Sequence, residues 1–436
     1  MFQNPLTILD QYHRAFGDTF RFYLGGLKEA IVTIDPAVIQ HVLKTNHENY
    51  LKSDIQVKRM GHFLGKGLLT THGEAWKTQR RLIQKGFDRK QLDALSSIMQ
   101  DSLADSLRAF DGRIENGAVD IYPHMMEITF SMVARSLFGA RLREEDINLV
   151  SDTICTVQEF IVRQTLQPYL NPWFAISGEL RRHEAMRTRA DSILMTYITK
   201  RRGELPGQDL LQTLMDARYT DGAGMSDELI LSESMQLLVA GHETSSNSLS
   251  WLLYLLSARP DVLERMRQEF DEVLGDAPLT HGDVPKFEYV TQVVQESLRL
   301  YPPFWMIDRV AVEDDRVGDN VIPAGSTVIV YVYGAHHAPT QWSNPEQFDT
   351  DRFLKGNDKL RTPFTYFPFG GGPRSCIGVH YAMLQILMIL SELLRKYDFA
   401  LPPGQNIEAR PMVILRPKNG IRMSFTKTVK STACTA

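Results

Sequence analysis

The feature that most constrains this chain is the run Phe367 to Gly378, F-P-F-G-G-G-P-R-S-C-I-G. It places one cysteine, Cys376, in a turn of glycine and proline directly before a long apolar stretch, Val379 to Lys396. That stretch predicts a helix, and a helix starting there sets unpaired N–H groups and a positive dipole end beside the sulfur. Such surroundings lower a thiol's pKa and suit a metal-bound thiolate. Gly370, Gly371, Gly372 and Gly378 carry no Cβ, so the backbone can approach a flat partner closely. An inert buried thiol after a loop is the competing reading. It leaves Arg374 unexplained, because a fixed positive charge two residues from the cysteine asks for an anionic ligand nearby.

The positions Phe369, Gly372, Arg374, Cys376 and Gly378 together resemble the haem-binding signature of the cytochrome P450 monooxygenases, in which a cysteine thiolate is the axial iron ligand. The resemblance implies haem b as cofactor, Cys376 on its iron, and Phe369, Gly370, Arg374 and Gly378 around it. Further motifs of the family follow in order along the chain. A helix predicted over Glu74 to about Phe87 carries Trp76 and Arg80 at i, i+4 on one face. Alone such a pair is plain packing; by resemblance it binds a haem propionate, as does Arg309.

Ser226 caps a very long predicted helix that runs to about Arg259, with Asp227 and Glu228 in its first turn. Its middle reads A-G-H-E-T-S, Ala240 to Ser245. A helix-interior glycine costs about 1 kcal/mol against alanine, so Gly241 has a purpose. Ala240, Thr244 and Ser248 make a face of small side chains, suited either to a helix crossing or to a flat ligand. The resemblance selects the second, since this is the family's oxygen-activating motif. It implies Ala240 and Gly241 beside the haem, with Glu243 and Thr244 supplying protons by general-acid logic. Glu296 and Arg299 match the family's E-x-x-R, and Arg352 supplies the second arginine of a buried network that fixes the cysteine loop structurally. Phe63, Leu69, Ala240, Trp305 and Met306 are expected to line an apolar substrate pocket, and Gln167 to Phe174 to lie over it. His337 and Gln385 depart from the family pattern, with consequences expected only for local packing.

A length of 436 residues would ordinarily suggest roughly three domains. Because the motifs must meet at one cofactor, the expectation is one large domain over 1–436, mainly α with a minor β region, enclosing one haem, with flexible ends at 1–4 and 426–436. Net charge is −4, which argues against nucleic acid. Three scattered cysteines, Cys155, Cys376 and Cys434, make no disulfide framework and indicate a reducing setting. There is no signal pattern and no apolar run of about 18 residues, so the chain resembles the soluble, mostly bacterial members: cytoplasmic, without membrane anchor, monomeric. The implied reaction inserts one oxygen atom from O₂ into a C–H bond of an apolar molecule such as a fatty acid, alkane or terpenoid. Electrons would come from a ferredoxin or flavodoxin with an NAD(P)H-dependent reductase. Alternatives are oxidative O-demethylation, a peroxide-driven peroxygenase, and a haem-thiolate sensor; the complete acid–hydroxyl pair argues against the last two.

Overall fold

The computed structural model describes residues 4–24, 28–115, 117–139 and 142–428. The helices that position the site are α1 (Pro5–Phe16), α2 (Gly73–Ile83), α3 (Arg89–Ile114), α4 (Ile121–Phe138), α5 (Glu144–Leu166), α6 (Glu179–Arg202), α7 (Asp227–Ser257), α8 (Glu288–Leu300) and α9 (Val379–Lys396). Local chemistry explains their limits. The Ser226 hydroxyl accepts from Leu229 N at 3.3 Å and starts α7. Asp88 caps α3 in the same way through Gln91 N at 2.9 Å, and Gly139, at φ 75°, ends α4.

Two cores flank the cysteine loop. One is helical: α7 crosses α4, α4 packs on α3, and α7 packs on α8 and α9, through residues such as Leu95, Met132, Leu249, Val293 and Leu387. Trp251 of α7 stacks on Tyr301 with centroids 3.9 Å apart and donates its indole N–H to Leu415 O. The other core lies against a five-stranded sheet built from β1 (Thr19–Leu24), β2 (Lys28–Thr33), β3 (Tyr50–Leu51), β4 (Ile307–Ala311) and β5 (Thr327–Val330), in the order β1-β2-β5-β4-β3. Only β2 and β5 pair in parallel, with Ile31 opposite Val328. Val32, Val330 and Tyr331, all fully buried, fill the space between this sheet and α1.

The architecture is the expected one, mainly helical with small sheets, and the differences are local. Gly61 has helical dihedrals and continues a helical stretch from Ile55 to Leu64; the loop begins at Gly65, at φ 75°. Gln167 to Phe174 forms a short 3₁₀ turn, Pro168–Leu170, and then a helix, Asn171–Ile176, anchored by buried Phe174 against Phe160. Of the ends expected to be flexible, residues 1–3 and 429–436 lie outside the described residues. Asn4 instead caps α1, and Thr426 and Lys427 belong to the last strand, Arg422–Lys427. No helix among the described residues is long and apolar enough to cross a membrane.

Candidate active site

The cysteine loop bridges the two cores, with Phe367 in the sheet-side cluster and Phe369 and Ile377 against the helical one. Its backbone is closed by Gly370 N to Phe367 O at 2.9 Å and Cys376 N to Phe369 O at 2.8 Å. Gly370 sits at φ 72°, a left-handed conformation that favours glycine, and a Cβ there would make only ordinary van der Waals contact with Ile307 and Ser375. Gly371 and Gly372 serve a different purpose from the one expected. A Cβ on Gly371 would overlap the Phe364 ring, and one on Gly372 would overlap the Leu43 carbonyl, so these two admit neighbouring protein rather than a ligand. The thiol is also not lowered as expected. Burial raises the Cys376 pKa, and the Gly378 N–H and the Arg80 charge only partly oppose it. The sulfur is nonetheless accessible, so one approach stays open while protein surrounds it elsewhere. A metal cation at that opening would ionise the thiol outright.

Around this loop lie four cations. Arg80 of α2 donates to Ser375 O at 2.9 Å, and Arg374 donates to Thr71 O at 3.3 Å while its guanidinium lies 4.0 Å from the centre of the Trp76 ring. Arg309 of β4 is 8% exposed and donates only to its neighbour's carbonyl, Asp308 O, at 2.7 Å. Lys52, just after β3, donates to Leu68 O and Leu69 O. Every one of these acceptors is a neutral carbonyl. Burial lowers the pKa of all four, Arg374 to about 10 and Lys52 to about 7, and Arg374 is further lowered by Arg309 and Arg80, as Lys52 is by Arg374 and Arg309. Uncompensated cations at a buried edge are costly unless an anion arrives. The donor set therefore fits a group that brings carboxylates to Arg80, Arg309 and Arg374 and a metal to Cys376.

Behind the loop, the Glu296 carboxylate is wholly buried and accepts Arg299 Nε and Nη2, each at 2.7 Å, and Asp349 N at 3.0 Å, while Arg352 Nε lies 3.3 Å away as an ion pair without a hydrogen bond. Arg299 donates onward to His336 O, and the His336 ring accepts Phe367 N at 3.0 Å. This network thus reaches the first residue of the cysteine run. On α7, the Thr244 hydroxyl donates to Ala240 O at 2.8 Å. Glu243 is 2% exposed, and its Oε1 accepts Arg416 Nε at 2.7 Å. Gly241 corrects the expectation: a Cβ there would lie 3.0 Å from Val133 of α4, so it serves the helix crossing, one residue round the helix from Ala240.

The family model described as cytochrome P450 matches residues 2–425. This chain belongs to the cytochrome P450 family. It is 30% identical over 423 residues to a Mycobacterium tuberculosis protein named cytochrome P450 132, covering 93% of this chain and 89% of that one. It is also 30% identical to cyclooctat-9-en-7-ol 5-monooxygenase of Streptomyces melanosporofaciens, covering 93% and 88%. Retinoic acid-bound cyanobacterial CYP120A1 superposes with a TM-score of 0.83 at 27% identity, covering 96% and 94%. The protein is thus a P450 monooxygenase, an oxidoreductase, and the family's cofactor is haem b.

The expected substrate lining of this P450 is only partly available. Trp305 is 6% exposed inside the sheet-side core, where its indole N–H donates to Met412 O at 2.8 Å, so it is committed to packing. Phe63 is likewise buried, among Val157, Phe160, Ile161 and Phe174. Leu69 is partly buried, its N–H held by Gln236 Oε1 of α7 at 2.7 Å, and Met306 is exposed. Gln385 is no surface variant: fully buried on α9, it donates to Thr129 O. Sequence reading missed Lys52, His336 and Arg416. Lys52 and His336 fall in no motif, and Arg416 meets Glu243 across 173 residues.

Proposed function

We propose that this P450 inserts one oxygen atom into a C–H bond of a mostly apolar organic substrate, with electrons from a separate ferredoxin or flavodoxin and its NAD(P)H-dependent reductase. The observation that carries the reading is the accessible Cys376 loop beside cations that meet only neutral carbonyls. That is a thiolate donor next to a receptor for a dianionic edge. When bound, haem supplies the activation of O₂ and the oxygen transfer, the second oxygen leaving as water.

The chain supplies the rest. Cys376 would hold the haem iron through its sulfur, and Phe369, Gly370 and Gly378 shape its loop. Arg309, Arg374 and Arg80 take the carboxylates by charge-assisted hydrogen bonds, and Trp76 braces Arg374 and Arg80 through its ring face. Ala240 and Thr244 would face the bound haem, the small helix face leaving room for O₂ and substrate. Thr244 Oγ1 parks its proton on Ala240 O and keeps lone pairs free to accept another. Glu243 is the resupplying acid, which requires its Oε1 to loosen from Arg416 before it can take up a proton.

Apolar ligands in the names of two relatives, cyclooctat-9-en-7-ol and retinoic acid, support a terpenoid-sized apolar substrate. The decisive experiment is an optical titration of the ferric protein with fatty acids, terpenoids, steroids and methoxylated aromatics, preceded by reduction under carbon monoxide. A long-wavelength Soret band and a spin-state shift with apolar compounds are expected. Absence of that band in folded wild-type protein would refute the thiolate assignment; a shift with none but polar methyl ethers would refute the substrate class.

A further inference from the structure

Lys52 is the cation that the reading above leaves without a task. It follows the two-residue strand β3, and its Nζ donates to Leu68 O at 3.2 Å and to Leu69 O. An ammonium has three N–H donors. The third meets no acceptor, and no carboxylate lies within ion-pair distance, among the described residues. The charged groups that face it are Arg374 and Arg309, which oppose its charge, and Asp308 and Glu233, which favour it. Each acid is engaged through one oxygen and lies beyond ion-pair distance of Lys52: Asp308 Oδ1 accepts Gln56 Nε2 at 2.6 Å, and Glu233 Oε2 accepts Leu68 N at 3.1 Å, while Glu233 Oε1 is buried without a hydrogen-bond partner.

The two leucines are therefore gripped from both sides. Their N–H groups go to Glu233 and Gln236 of α7, and their carbonyls go to Lys52. Lys52 is the link between this loop and the arginine cluster. It lacks what the cluster lacks, an anion.

We propose that Lys52 bridges the cofactor and the 65–71 loop: its third N–H takes a carboxylate at the haem edge while the other two hold Leu68 and Leu69. Haem binding then fixes the loop that carries Leu69 toward the substrate. The proposal rests on the haem-thiolate reading. A carboxylate can also come from an acidic substrate, and the experiment separates the two sources.

Wild-type, Lys52→Met, Lys52→Gln and Lys52→Arg holoproteins are compared in three measurements: the rate of haem transfer to excess apomyoglobin, hydrogen exchange of amides 65–71, and titration with dodecanoic acid and its methyl ester. Either neutral variant should lose haem roughly ten- to a hundredfold faster, the span that one charge-assisted hydrogen bond implies. Amides 65–71 should exchange faster, Lys52→Arg should restore both, and acid and ester should change affinity alike. If Lys52→Met does not fold, Lys52→Gln decides. Unchanged haem loss and exchange in a neutral variant overturn the bridge. Lost affinity for the acid alone, with haem retention intact, overturns it too and assigns the carboxylate to substrate. The reduced carbon monoxide band keeps the levels apart: present in wild type, it leaves the haem-thiolate reading standing whatever Lys52 does, and absent there, it removes that reading first.

Discussion

Replacing Glu296 by glutamine changes one atom in a wholly buried site. Glu296 and Arg299 are both 0% exposed, and the single carboxylate faces two guanidiniums, Arg299 through both oxygens and Arg352 through Oε1. Glutamine keeps the volume and one oxygen, but it turns an amide N–H toward an arginine N–H, removes the carboxylate that pairs with Arg299, and leaves Arg352 with only the longer Asp349 pair at 4.0 Å. Breaking one side of a buried pair costs about 3–5 kcal/mol, against a typical domain stability of about 5–15 kcal/mol. The loss would not stay local, because Arg299 supports His336 O and the His336 ring holds Phe367 N. Urea unfolding of the holoprotein should show a loss of that size, and the reduced carbon monoxide spectrum should lose its long-wavelength band in proportion. Glu288→Gln, which breaks a surface pair with Lys355, should behave like wild type. A loss below about 1 kcal/mol with normal haem content would refute the view that one carboxylate balances both arginines.

Three other outcomes are expected. Thr244→Ala should retain haem, because the hydroxyl bonds only within its own helix, while NAD(P)H consumption runs ahead of product; unchanged coupling refutes the proton relay. Glu233 is raised from 4.5 to about 7 by burial, with the Leu68 N–H and Lys52 pulling the other way. Between those pH values the unfolded chain gives up a proton that the native one keeps, so native stability falls as pH rises by on the order of 2–3 kcal/mol. Glu233→Gln should flatten denaturation midpoints across that window, and an identical pH profile counts against it. Gly372→Ala needs a left-handed residue at φ 67° and pushes a methyl group into Leu43 O, costing about 2–4 kcal/mol; a melting temperature equal to wild type refutes the close approach.

What could be read in advance was whatever depends on neighbours in sequence. The α9 limits, Val379 and Lys396, follow from an apolar run that starts after Gly378 and ends in Arg395 and Lys396. The Ser226 cap, the Trp76–Arg80 face and the E-x-x-R pair are also short-range patterns. Glycine roles were not legible, because the same residue serves a left-handed turn at Gly370, a ring contact at Gly371 and a helix crossing at Gly241. Only the packed neighbour tells these apart. Trp305 misled for a similar reason: an apolar strand residue looks alike whether it faces a pocket or a core, and the Met412 carbonyl that holds it comes from more than a hundred residues later. Lys52 and Arg416 were invisible because their partners are assembled by the fold.

The two buried charge clusters solve the same electrostatic problem in opposite ways, and this orders their roles. Glu296 and its arginines neutralise one another with protein groups alone, so their attraction is available as soon as α8 packs against the Asp349–Arg352 turn. Arg80, Arg309, Arg374 and Lys52 have no carboxylate within ion-pair distance among the described residues, and Arg374 is repelled by Arg309 and Arg80, as Lys52 is by Arg374 and Arg309. Their mutual repulsion is relieved only by a ligand carrying negative charge, and any ligand that binds the native state alone stabilises it by mass action. The first cluster accordingly belongs to the scaffold that presents the cysteine loop. On the function proposed above, the second holds an unfavourable charge that cofactor binding would cancel, so haem affinity should weaken as salt screens the half-buried cations Arg80, Arg374 and Lys52, and buried Arg309 least.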